Sequence, residues 1–210
     1  MLRALLAFAA FAAIVTITPG LDTMLVVRTA AVSGRRAALA AASGIMLGCL
    51  AWAAASALGI TALLTASQVG YDVLRWTGAA YLCYLGVRAL RRPSTVEPAG
   101  PVAARSVGRA FRVGLTTNLL NPKIGVFYLS VLPQFLPHGV APLVASLAMA
   151  IVHDIEGLIW FVALVLLVDR SARLLARPAV RRRLDQLTGL VFIGFAARLV
   201  FEHGTHRTSV

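Results

Sequence analysis

Thr18-Pro19-Gly20-Leu21-Asp22 and Asn118-Leu119-Leu120-Asn121-Pro122-Lys123 are the two stretches that decide the fold. Each sets a proline and polar neighbours inside a hydrophobic segment of helix length. Proline removes a backbone donor and clashes with the preceding turn. In lipid, the freed backbone groups survive only where protein or a water-filled cavity satisfies them. Two such breaks in corresponding halves of one membrane chain point to a transport site.

Composition supports the bilayer. Of 210 residues, 59% are hydrophobic and 13% charged, against about 25% charged in soluble domains, and mean hydropathy is +0.82. By the rule of about 20 apolar residues per crossing, six helices are expected: about Leu2–Val27, Ala37–Ala66, Val69–Leu90, Phe111–Leu136, Pro142–Val168 and Leu184–Phe201. The N-terminal apolar run resembles a signal peptide, but it continues past Pro19 to Val27. That is too long for a cleaved core, so it reads as a retained first span.

The net charge of +12 raises the question of nucleic acid. Fifteen of the twenty basic residues fall in three loops: Arg28, Arg35 and Arg36; then Arg88 through Arg112; then Arg170 through Arg183. Charge divided among alternate loops is the mark of cytoplasmic connections, not of one nucleic-acid-binding face. Both termini are therefore expected outside. Pro93–Ser106 reads as a cytoplasmic linker, giving repeat 1 at about 1–92, linker at about 93–108 and repeat 2 at about 109–210 of a single transporter domain.

Three spans on each side of the linker force the halves into opposite topology. A short repeat agrees: Thr77-Gly78-Ala79-Ala80-Tyr81 with Tyr84, and Thr188-Gly189-Leu190-Val191-Phe192 with Phe195. The expected fold is thus an all-α polytopic membrane protein, six transmembrane helices as two inverted three-helix repeats, with helices 1 and 4 broken at proline.

Ionisable groups inside spans are costly and mark function by default. Asp22 follows the first break, where capping the restarted helix is a competing role. Lys123 could attract a carboxylate, pair with an acid, or snorkel to an interface. Asn118 and Asn121 are three apart, on one helical face, although Asn121 could simply cap a helix led by Pro122. His153, Asp154 and Glu156 interrupt the fifth span. Asp154 and Glu156 stand about 200° apart on a helix, and Asp154 is taken as the interior one. His153 could relay protons or be a hydrogen-bonded packing residue. His153 and Glu156 lack further ligands for a metal. Gly44 and Gly48 form a GxxxG packing stripe. Cys49 and Cys83 read as small packing residues. No nucleophile motif, phosphate loop, dinucleotide fingerprint or cofactor site is present, so transport would be passive or driven by an ion gradient.

These residues resemble the LysE/RhtB family of amino-acid exporters. The likeness is carried by Thr18-Pro19-Gly20, Gly78-Ala79-Ala80-Tyr81, Phe111-x-x-Gly114, Asn118-x-x-Asn121-Pro122-Lys123, Pro133-Gln134-Phe135 and Leu184-Asp185-x-x-Thr188-Gly189. It implies efflux of amino acids or related amphoteric metabolites across the bacterial inner membrane, with protons as coupling ion and a homo-oligomer conceivable. The implied site residues are Thr18, Pro19, Gly20, Asp22, Asn118, Asn121, Pro122, Lys123 and Asp154. One position departs: Leu21-Asp22 stands where the family's motif usually has Pro-Asn, which adds an ionisable group. The alternative from another class is a membrane-embedded adaptor or assembly subunit without transport of its own.

Overall fold

The chain restarts as helix twice, and both restarts follow from proline chemistry. In the computed structural model, which describes residues 1–66, 76–77, 79–80, 83–84, 86–88, 90–91, 106–137, 139–168 and 177–201, α1 spans Leu2–Ile17. The residue before a proline is pushed out of the helical region, and Thr18 accordingly sits at φ −73°, ψ 119°. Helix α2 begins at Leu21, with Asp22 in its first turn, and runs to Ala66. Helix α3, Val107–Leu119, ends likewise ahead of Asn121, which stands at φ −80°, ψ 108°. Asn121 then caps α4, Pro122–Val126, by accepting the Lys123 N–H on Oδ1 at 3.1 Å. A wide π turn, Phe127–Val131, and a 3-10 turn, Leu132–Phe135, complete this segment. Helix α5 covers Pro142–Leu166 and α6 covers Pro178–Phe201.

Every regular element among the described residues is helical. The described residues between 76 and 91 are helical too, within the expected third span. The linker at 93–105, together with Gly78 and Tyr81 of the short repeat, lies outside the described residues.

Two boundaries differ from expectation. The stretch 28–36 is not a loop: only Gly34 leaves the helix, at φ 83°, ψ 171°. Alanine-rich flanks favour helix, and one residue in the left-handed region, open to glycine at little cost, suffices to redirect the chain. Similarly, α6 begins at Pro178 rather than near Leu184, because proline is well accepted at the first helical position.

Side-chain polarity runs inside out. On α5, Ser146, His153 and Asp154 are buried, whereas Ile151, Ile155 and Ile159 are exposed, the last at 67%. A helix of a soluble protein shows the opposite arrangement. The stretch Leu21–Gly59 and helix α5 are long and apolar enough to cross a bilayer.

Helix α2 packs extensively on α3 and α5. At Gly44 an added Cβ would collide with the Phe111 carbonyl, and at Gly114 with the Ala41 carbonyl. Backbones therefore meet without intervening side chains, as the small-residue stripe requires. At the other end an aromatic cluster joins α1 to the π turn and to α6: Phe8 and Phe127 have ring centres 5.6 Å apart, Phe11 and Phe127 6.0 Å, and Phe11 and Phe192 6.5 Å. These two contact zones bring both breaks to one place.

Candidate transport site

At each break a helix ends with unpaired carbonyls and another begins with unpaired N–H groups. The breaks satisfy each other. Lys123 donates from Nζ to the carbonyl oxygens of Val15 at 2.8 Å and Thr18 at 3.0 Å. A cation at the carbonyl end of a helix also meets its dipole favourably. The Thr18 hydroxyl turns back to Ile14 O at 2.7 Å. From the second break, Asn118 donates from Nδ2 to Asp22 Oδ2 at 2.9 Å, with Cys49 Sγ also within 3.5 Å. Trp52 Nε1 donates to the Asn118 carbonyl at 3.4 Å. Gly48 is what lets Asn118 fit: a Cβ there would fall on the Asn118 side-chain oxygen.

Between the breaks and α5 lies a cleft with about 490 Å³ of empty space, its open mouth included. Thr18, Gly20, Asp22, Asn121, Lys123 and Asp154 line it. Of the other expected site residues, Pro19 and Asn118 are buried behind this wall, and Pro122 is exposed at the first position of α4. Asn121 is chiefly a cap. Asp22 Oδ1 and Asn118 Oδ1 are buried with no hydrogen-bond partner. A buried acceptor left so is costly, and marks where a ligand or proton would be welcome.

Glu156 does not line the cleft; its Oε2 is buried and unpartnered on another side of α5. Lys123 lies within electrostatic range of the Asp22 and Asp185 carboxylates. No group of three or more metal-binding side chains occurs among the described residues.

Four further residues belong to this region; the sequence offers His153 as a proton relay or packing residue and Cys49 as a packing residue, whereas Tyr128 and Asp185 have no expected role. Cys49 and His153 line the cleft. Tyr128, fully buried in the π turn, has its hydroxyl 2.9 Å from His153 Nδ1. Its carbonyl, in a turn too wide for ordinary helical pairing, accepts from Ser56 Oγ at 2.8 Å. Asp185 is buried in α6. Only the last stood in a quoted motif; Tyr128 sits in an apolar run with no local signal of its partner.

The model of the LysE type translocator family matches residues 13–203. Among similar proteins, the threonine efflux protein of Escherichia coli (strain K12) is 29% identical over 95% of this chain and 98% of its own length. The leucine efflux protein of Klebsiella pneumoniae is 29% identical over 90% of each chain. The homoserine/homoserine lactone efflux protein of Salmonella typhi is 26% identical over 89% of this chain and 90% of its own. No solved structure matches the chain significantly. The efflux names of these relatives give the adaptor alternative no support.

Proposed function

The chain belongs to the LysE type translocator family, a family of membrane translocators and not of enzymes, and from that premise we propose that it exports amino acids or related small metabolites as a secondary transporter. The observation that carries this reading is the cleft where the two proline breaks meet, lined by Asp22, Lys123 and Asp154. Broken helices facing each other near mid-membrane are how secondary transporters build substrate sites. A zwitterion finds matching charges there. Its ammonium meets Asp22, whose Oδ1 has no partner, or Asp154. Its carboxylate meets the N–H of Lys123 not engaged by the Val15 and Thr18 carbonyls, together with the N-terminal end of α2.

The coupling ion in this proposal is the proton, carried by whichever of Asp22 and Asp154 is not holding substrate. The chain forms six spans in two inverted halves that rock about the cleft, with the bacterial inner membrane around them and both termini outside. The matched backbone of Thr18 and Asn121, each extended before its proline, supports two related halves. The arginines gathered at 28–36, 88–112 and 170–183 of the sequence support the orientation. The relatives named for threonine, leucine and homoserine efflux support a small amphoteric substrate.

The test has two stages. Media of cells with and without the protein are compared by metabolite profiling. The leading metabolite is then offered to proteoliposomes under an imposed proton gradient. Gradient-driven uptake supports the reading; absence of any protein-dependent flux overturns it.

A further inference from the structure

We propose that His153 reads the substrate's carboxylate through Nε2–H, and that Tyr128 is the positioning residue that fixes this tautomer; the proposal rests on the exporter reading above. His153 lines the cleft, and its one hydrogen-bond partner among the described residues is the Tyr128 hydroxyl, on Nδ1. Nε2 is thus the ring nitrogen left for a ligand.

The direction of the Tyr128–His153 bond follows from what else the phenol can reach. Tyr128 is 0% exposed, so water does not serve it. Its other polar side-chain neighbours are the Cys49 thiol, whose sulfur is a weak acceptor, and the Asp154 carboxylate, which acts on the phenol electrostatically and not through a hydrogen bond. If Nδ1 carried the proton, the phenol proton would be stranded on sulfur, at the penalty of a poorly satisfied buried donor. Tyr128 therefore donates to Nδ1, and the neutral ring carries its proton on Nε2. Phe127 packs on the ring with centres 5.2 Å apart, holding its plane.

The result is a neutral donor beside the Lys123 ammonium, which acts electrostatically on the same ring. Asp22 and Asp154 on the cleft wall would repel a bare anion. A donor pair from His153 and Lys123 lets a carboxylate in while those acids hold the ammonium of the same molecule. His153 would then separate amino acids from amines that lack the carboxylate.

The experiment uses proteoliposomes of the full chain. The labelled probe is whichever of L-threonine, L-leucine and L-homoserine the unaltered protein carries fastest, and the competitor is the matching decarboxylated amine (1-aminopropan-2-ol, 3-methylbutylamine or 3-aminopropan-1-ol). In His153→Leu the KM for the amino acid should rise roughly tenfold or more, the worth of a hydrogen bond to a charged group, while inhibition by the amine stays put. His153→Gln, whose amide N–H stands in for Nε2–H, should keep most of the preference. Tyr128→Phe, nearly isosteric, should raise KM about twofold with kcat unchanged, because the ring then samples both tautomers and only about half carry the proton on Nε2. Unchanged discrimination in both His153→Leu and Tyr128→Phe overturns the proposal. If His153→Leu does not fold, unchanged discrimination in Tyr128→Phe alone overturns it. No flux of any amino acid through the unaltered protein overturns the exporter reading instead.

Discussion

Asn118 Nδ2 lies 2.9 Å from Asp22 Oδ2, a hydrogen bond between residues 96 positions apart that ties the end of α3 to the start of α2. Each belongs to a different proline break, so the bond makes the two breaks one structure. Both residues also keep a buried oxygen unpartnered, and in the proposed transport site these are the acceptors open to substrate or proton.

Gly48 guards that bond. In Gly48→Ala the new methyl falls on the Asn118 side chain, which must turn away from Asp22. Overpacking costs about 1–3 kcal/mol. A lowered unfolding midpoint in detergent and at least a tenfold loss of transport are expected. Gly59→Ala, whose Cβ meets nothing within 4 Å, should leave both near normal.

Lys123 serves the scaffold as well as any substrate. Lys123→Met leaves the Val15 and Thr18 carbonyls without this donor, at about 1–3 kcal/mol for buried groups left unsatisfied. Thermal unfolding in detergent should show the loss even without substrate. A variant as stable as the unaltered protein would remove the tie between the breaks from the account.

The two cleft acids should divide ammonium binding and proton coupling. Asp22→Asn and Asp154→Asn are each expected to cut substrate-driven proton flux at least tenfold in vesicles, with one of them also raising KM. Normal efflux in both variants would falsify their assignment to the site.

Gly34 is the residue at which α2 leaves the helix, with φ 83°. A side chain in the left-handed region costs roughly 1–2 kcal/mol. Gly34→Ala should therefore lower the unfolding midpoint by a few degrees without changing selectivity among amino acids, since no cleft residue is altered. Competition assays beside thermal melts check this.

The proposed orientation has its own test. A C-terminal reporter that fluoresces only in the cytoplasm should stay dark, and a tag placed within 93–105 should be protected from external protease in intact spheroplasts. A bright C-terminal reporter inverts the topology.

How much of this was legible in the sequence depends on range. The breaks at Pro19 and Pro122 were, because the constraint proline puts on its predecessor is local; so was the close approach at Gly44. The inward face of α5 could be inferred from Asp154, since charge in lipid must point inward. The segment 28–36 reads as a loop yet is helix: three arginines suggest an exposed turn, but arginine is a good helix former and Gly34 alone redirects the chain. What no local pattern reveals is pairing across the fold. The contact of Tyr128 with His153 joins the π turn to α5, and the placement of Lys123 on the Val15 carbonyl spans 108 positions. Both depend on where whole helices come to rest.

Where α2 and α3 touch at Gly44 and Gly114, main chain rests on main chain, with no side chains between them to repack. Sliding one helix along the other would drive carbonyls into Cα atoms at every step. The second part of α2 and α3 thus behave as a single girder. In the proposed transport cycle the bends would fall at the joints beside this girder: Gly34, where α2 leaves the helix, and the short bridge of Leu120 and Asn121 before the chain turns into α4.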